Sequence, residues 1–168
     1  MRPLRWAQAT PDREGYPMSD AETAAQPHAT VVVYSSNSVM RSQVVQALGR
    51  RPSADLPLVR VQECATAAAV LAHLKAHTPD LLVMDGEAQP TGGLGLCRQL
   101  KDEVFECPPV LVLVAREQDR WLGAWAQAEQ VLVQPVDPMS LAQAAAQLLR
   151  QRLAESAGSA EVGAVAAG

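Results

Sequence analysis

The sequence predicts an α/β domain in which helices cover both faces of a five-stranded parallel sheet, the doubly wound arrangement. Two observations lead to this fold class. Short runs of β-branched and aliphatic residues alternate five times with segments of helical length. Several of these runs, such as residues 110–114, are apolar at every position. Continuous apolar runs are typical of parallel strands that are buried on both faces.

The strands are expected at residues 29–34, 58–62, 81–84, 110–114 and 131–133. The helices that follow them are expected at residues 38–48, 67–77, 94–103, 119–128 and 138–152. Capping signals support these limits, since Gly49 follows the first helix, Thr66 precedes the second, and Asp137 with Pro138 opens the last. Right-handed crossovers then favour the flavodoxin-like strand order 2-1-3-4-5.

The two ends of the chain differ in composition from the region between them. Residues 1–28 are rich in Pro, Ala, Thr and Gln without helical or strand periodicity, and residues 154–168 are almost all small. Such segments bury too little apolar surface to offset the entropy lost on ordering. We therefore expect disordered ends around one domain at residues 29–153.

Composition excludes several classes of function. The chain carries 14 basic and 18 acidic residues, a net charge of −4, and no Lys/Arg run, so we expect no direct contact with nucleic acid. No apolar stretch is long enough to span a membrane and no secretory leader opens the chain, so a cytoplasmic location without membrane contact is expected. The cysteines Cys64, Cys97 and Cys107 have no CxxC spacing, which argues against a disulfide framework and a zinc knuckle.

Candidate functional residues follow the predicted strands. In doubly wound sheets ligands bind outside the carboxyl ends of the strands, near the switch point between the first and the third. Ser35 and Ser36 follow strand one, Asp85 ends strand three, and Gln134 with Pro135 follows strand five. A carboxylate at this edge is a good candidate for chemistry, so Asp85 is the leading candidate.

Residues 30–152 resemble the receiver domain of two-component response regulators, the CheY-like superfamily. The resemblance is carried by three strings in the family's order: PDLLVMDGEAQPTGGLGLCRQLKDE, PPVLVLVAREQD and QPVDPMSLAQAAAQLLRQ. It implies that Asp85 stands at the phospho-acceptor position, that Pro135 is the family's proline after strand five, and that the chain is a signalling protein rather than an enzyme. The tail is too short for a DNA-binding output domain, which predicts a stand-alone receiver. Arginine outnumbers lysine 12 to 2, a bias typical of GC-rich bacteria.

The remaining positions of the phosphorylation site depart from the family. The resemblance places Ser35 and Ser36 where the family has the acidic pair that holds Mg²⁺. It places Val114 at the phosphoryl-binding Ser/Thr, Gln134 at the lysine and Val131 at the switch aromatic. Phosphoryl transfer to a carboxylate depends on a divalent cation and a fixed positive charge. The hypothesis is therefore a degenerate pseudo-receiver that regulates through protein contacts, with no cofactor and no metal.

Two alternatives stay open. In the first, Glu87 supplies a second oxygen ligand, so that Asp85 accepts phosphate with a non-standard, weak Mg²⁺ site. In the second, the SSNS run after strand one is a phosphate loop similar to that of flavodoxins, and the protein binds a flavin or another small ligand. That run lacks the loop's glycine. His73 and His77 also have a spacing that suits one metal ion, but no third ligand is evident.

The candidate partner surface is on the fourth helix, where Trp121 and Trp125 lie one turn apart. Large aromatic residues are favoured as interface anchors. Leu122 and Ala126 form a second apolar stripe on the same helix, and either stripe is able to pack on the sheet. The resemblance implies protein partners, a sensor kinase or a downstream protein, and a homodimer through helix four, strand five and helix five.

Overall fold

A computed structural model describes residues 27–165 of the chain. Its five strands are β1 (His28–Tyr34), β2 (Leu58–Cys64), β3 (Leu81–Asp85), β4 (Val110–Val114) and β5 (Gln130–Val133). The α-helices are α1 (Ser38–Leu48), α2 (Ala67–Ala76), α3 (Gly93–Glu103), α4 (Trp121–Ala126) and α5 (Pro138–Val165). The strands pair in parallel in the order β2-β1-β3-β4-β5, which confirms the predicted fold class.

The core consists of two layers, one on each face of the sheet. Every residue of β3 and β4 is buried, as their continuous apolar sequence predicts. Alternate side chains point to opposite faces, so Leu81 and Val83 pack with α1 and α5, whereas Leu82 and Met84 pack with α2 and α3. The central strands are thereby fixed, and their carboxyl ends form one shared edge.

The fourth helix is shorter than the predicted segment 119–128. A 3₁₀ turn at Glu117–Asp119 precedes α4, and Gln127 ends it with a left-handed backbone at φ 61°. The N–H groups of Gln127 and Ala128 then bond back to the carbonyl oxygens of Ala124 and Gly123. This turn closes the helix without a glycine or a proline, so no residue in it signals the end of the helix.

The last helix is longer than predicted. It continues past residue 152 to Val165, which corrects the expectation that residues 154–165 lack structure. Alanine has the highest helix propensity, and the isolated Gly158 does not end the run. Residues 154–160 are exposed, so the extension adds little to the core.

The predicted disordered head falls almost wholly outside the described residues, as do residues 166–168. His28 lies inside the described part and opens β1, one residue before the predicted start of the domain. Within residues 27–165 no helix combines the length and apolarity needed to cross a membrane.

Candidate functional site

Asp85 lies at the carboxyl end of β3 and is only 6 % exposed. The neighbouring backbone fixes its position, because the N–H of Gly86 donates to the carbonyl oxygen of Leu113 in β4. The start of α3 also packs closely on it, since a Cβ added to Gly93 would lie 2.5 Å from the carbonyl oxygen of Asp85. A glycine is therefore needed at this helix start.

Three neutral groups donate hydrogen bonds to the Asp85 carboxylate. The Ser35 hydroxyl donates to Oδ2 at 2.6 Å, and the Gln134 side-chain amide donates to Oδ1 at 3.1 Å. The backbone N–H of Glu87 donates to Oδ1 at 3.0 Å. Asp85 makes no ion pair with any described residue. Both carboxylate oxygens are thus satisfied without a cation.

Ser35 is itself held from several sides. It is fully buried, and its Oγ accepts the N–H of Asn37 at 3.0 Å. The Arg41 guanidinium donates to the Ser35 carbonyl oxygen at 2.7 Å and pairs with Glu63 of β2. Asn37, which the sequence places directly after strand one, is the N-cap of α1, whereas sequence reasoning missed Arg41.

The other predicted site residues divide into two groups. Ser36 and Glu87 are exposed at the rim, where the Ser36 hydroxyl accepts the N–H of Gln89 and so connects the loops after β1 and β3. Val114 is buried in the core, and Pro135 is exposed after a cis peptide bond. The structure therefore brings Ser35, Gln134 and Asp85 together and leaves Val114 out of the polar cluster.

Tyr34 is a further anchor of the site that sequence reasoning missed. Its hydroxyl donates to the carbonyl oxygen of Thr91 at 2.6 Å and so ties β1 to the loop before α3. Burial raises the pKa of Tyr34, and the nearby Asp85 carboxylate raises it further. The phenol therefore stays protonated and keeps this hydrogen bond.

Metal-ligand groupings are sparse in the described part of the chain. No three His, Cys, Asp or Glu side chains come together there in a way that could hold a metal ion. His73 and His77 are near neighbours, but their rings stack with centroids 4.7 Å apart. The pKa of His73 is lowered mainly by burial and to a smaller extent by the neighbouring His77.

The two candidate interface residues lie on the outer face of α4. Trp121 is 66 % exposed and Trp125 is 51 % exposed, whereas Gly123 and Ala126 are buried against the sheet. Of the two apolar stripes on α4, the one that contains Ala126 therefore packs inward. The two tryptophan side chains are therefore exposed on the outer face of α4.

Known proteins resemble this chain in sequence and in fold. Two curated proteins of Mycobacterium tuberculosis, from strains CDC 1551 and H37Rv, are each described as an uncharacterized response regulatory protein. Each is 44 % identical to this chain over 133 residues, which cover 79 % of this chain and 97 % of the relative. The chain belongs to the response-regulator family. No protein-family model matches it.

Solved receiver domains share the fold at low sequence identity. The chemotaxis response regulator CheY4 of Vibrio cholerae has a TM-score of 0.62 at 18 % identity, covering 73 % of this chain and 99 % of that chain. The receiver domain of the Francisella response regulator 1452 has a TM-score of 0.64 at 14 % identity, covering 73 % and 98 %. This response regulator is therefore a CheY-like receiver domain of two-component signalling, a class of signalling proteins rather than enzymes. Receiver domains act through contacts with kinases or downstream proteins.

Proposed function

We propose that this response regulator acts through protein contacts that do not depend on Mg²⁺-assisted phosphorylation. The hydrogen bonding of Asp85 carries the proposal. Ser35 and Gln134 occupy the positions of a metal-binding acidic residue and of the lysine, and both donate to the Asp85 carboxylate. A neutral cage of donors thus takes the place of a cation and an ammonium group.

The chemistry of these donors does not suit Mg²⁺. A hard cation prefers carboxylate oxygens, and within the part of the chain that the structure describes the only buried carboxylate of this site is Asp85. Glu87 contributes its backbone N–H to Asp85, while its side chain is exposed at the rim. Phosphoryl transfer would also leave its negative charge without the lysine that neutralises it in the family. These points favour a metal-free site over the alternative in which Glu87 completes a Mg²⁺ site.

The chain also lacks the two residues that the family uses to change conformation, the phosphoryl-binding Ser/Thr and the switch aromatic. Val114 is buried in the core and Val131 is half-buried beneath α4, and neither side chain is able to hydrogen-bond to a phosphoryl group. A two-state switch needs a ligand that favours one state over the other. We expect α4 and β5 to hold one conformation and the partner surface to be available constitutively.

We propose that a second copy of the chain covers the tryptophan patch, defined as Trp121 and Trp125. Charges of both signs border it, because Arg120 pairs with Glu117 at 2.6 Å immediately before α4. In a two-fold dimer the same patch meets itself, so a basic group of one copy is able to face an acidic group of the other. Exposed aromatic rings bordered by paired charges suit such an isologous contact.

A Mg²⁺ titration tests the site proposal. It is monitored through the NMR signals of the backbone amides of Gly86 and Glu87. We expect no saturable shift in the wild-type chain. A variant with Ser35→Asp, Ser36→Asp and Gln134→Lys restores the family's charges and should gain Mg²⁺-dependent shifts.

The same triple variant with Asp85→Asn is the matched control and should lose part of that gain. Saturable Mg²⁺ binding by the wild-type chain that disappears in Glu87→Gln would instead support the phospho-accepting alternative. The relatives and solved structures named above are described as response regulators, which favours the receiver interpretation over a flavodoxin-like flavin protein.

A further inference from the structure

A groove of about 380 Å³ lies between α1 and the segment that joins β5 to α5. Met40 and Ala47 line it from α1, and Pro135 and Val136 line it from the opposite side. The buried side chain of Leu141 also lines it. This volume falls at the lower end of the range for small-molecule sites, and a mainly apolar lining is typical of them.

Among the described residues, no acidic, basic or histidine side chain lines the groove. The polar side chains that these residues contribute are three glutamines, Gln43, Gln46 and Gln134. A charged ligand would lose hydration here without gaining an opposite charge. Amide groups, by contrast, both donate and accept hydrogen bonds. The lining therefore selects an uncharged ligand.

Gln134 belongs to both the groove and the Asp85 site. Its Nε2 donates to Asp85 Oδ1, whereas its Oε1 accepts no hydrogen bond from any described residue. A ligand whose N–H or O–H group reaches this oxygen would donate a hydrogen bond to it. A ligand bound to Oε1 would then contact the same Gln134 amide group that donates to Asp85.

We propose that the groove binds a small, uncharged and mainly apolar molecule that carries carbonyl, N–H or O–H groups. The regulatory meaning of this binding rests on the proposed function, in which no phosphoryl group reaches Asp85. Through Gln134, occupancy of the groove acts on the Asp85 site at the position where the family has its lysine.

The test uses Nile red, an uncharged apolar dye with a carbonyl group, as the probe for the full chain. We expect saturable fluorescence enhancement, and Ala47→Phe should weaken the affinity at least about tenfold by filling the groove. Ala72→Phe, the same substitution at an exposed position of α2, should retain the wild-type affinity. Trp121→Ala should retain it as well, which separates the groove from the tryptophan patch.

Thermal melting of each variant separates loss of binding from loss of the fold. On the wild-type chain, Nile red should shift the side-chain amide signals of Gln43 and Gln134, which gives a readout that needs no variant. Absence of saturable binding would overturn the proposal. Binding that Ala47→Phe leaves intact, or that Trp121→Ala abolishes, would overturn it too. The outcome is independent of the Mg²⁺ titration, so the two proposals fail separately.

Discussion

Replacing Ser35 with alanine removes the shortest hydrogen bond to the buried Asp85 carboxylate and also the hydroxyl that accepts the backbone N–H of the exposed Asn37. Asp85 Oδ2 loses its 2.6 Å donor, and the N–H of Asn37 loses its acceptor at 3.0 Å. Leaving a buried polar group unsatisfied costs about 1–3 kcal/mol. Ser35 is fully buried and Asp85 is 6 % exposed, so the middle of that range applies. We expect Ser35→Ala to lower the free energy of unfolding by about 2 kcal/mol.

Urea unfolding, monitored by circular dichroism, measures this decrease in the free energy of unfolding. With a slope of about 2 kcal/mol per molar urea, the midpoint should fall by about 1 M at an unchanged slope. Ser36→Ala is the matched control, because Ser36 is exposed, and it should change stability by about 0.5 kcal/mol or less. Equal effects of the two substitutions would refute the account of a buried neutral cage around Asp85.

Three further predictions concern the helices. Gly123→Ala should cost about 1–3 kcal/mol of stability in urea unfolding, because a Cβ there would collide with Val131, whereas Gly95→Ala in open space should cost nothing. Burial, with a stacked neighbouring imidazole, lowers the pKa of His73 from 6.5, so the unfolded chain binds its proton more readily. Stability measured against pH should therefore be full above about 6.5 and decline as the pH falls through the folded pKa, and His73→Gln should flatten the decline. Sedimentation velocity should show a dimer that Trp121→Ala weakens by more than about 1 kcal/mol with the fold intact, and a wild-type chain that stays monomeric would contradict the dimer proposal.

Much of the fold could be predicted from sequence because its signals are local. The apolar runs at β3 and β4 require burial on both faces, and the cap at Asn37 marks the start of α1. The wrong limits of two helices have a different origin. Gln127 adopts a left-handed backbone in a turn that bonds back to Gly123 and Ala124 and contains no glycine after the helix, and α5 passes Gly158 because alanines on both sides favour helix.

The candidate site could be predicted only in part. Strand ends in a parallel sheet converge on one edge, so Asp85, Ser35 and Gln134 were expected to lie together. The direction of their hydrogen bonds depends on side-chain rotamers and on interatomic distances, and neither can be read from the amino-acid sequence. The roles of Tyr34 and Arg41 were missed for the same reason, since each acts through a backbone carbonyl group far from any motif.

Exposure of the full chain to Mg²⁺ and acetyl phosphate, followed by intact-mass measurement, tests the central claim most directly. The account predicts no phosphoryl adduct on the wild-type chain, because Ser35 and Gln134 offer Asp85 neither a metal-binding carboxylate nor a positive charge. The variant that carries Ser35→Asp, Ser36→Asp and Gln134→Lys provides the positive control for the assay. A wild-type adduct that requires Mg²⁺ and disappears in Asp85→Asn would contradict the claim.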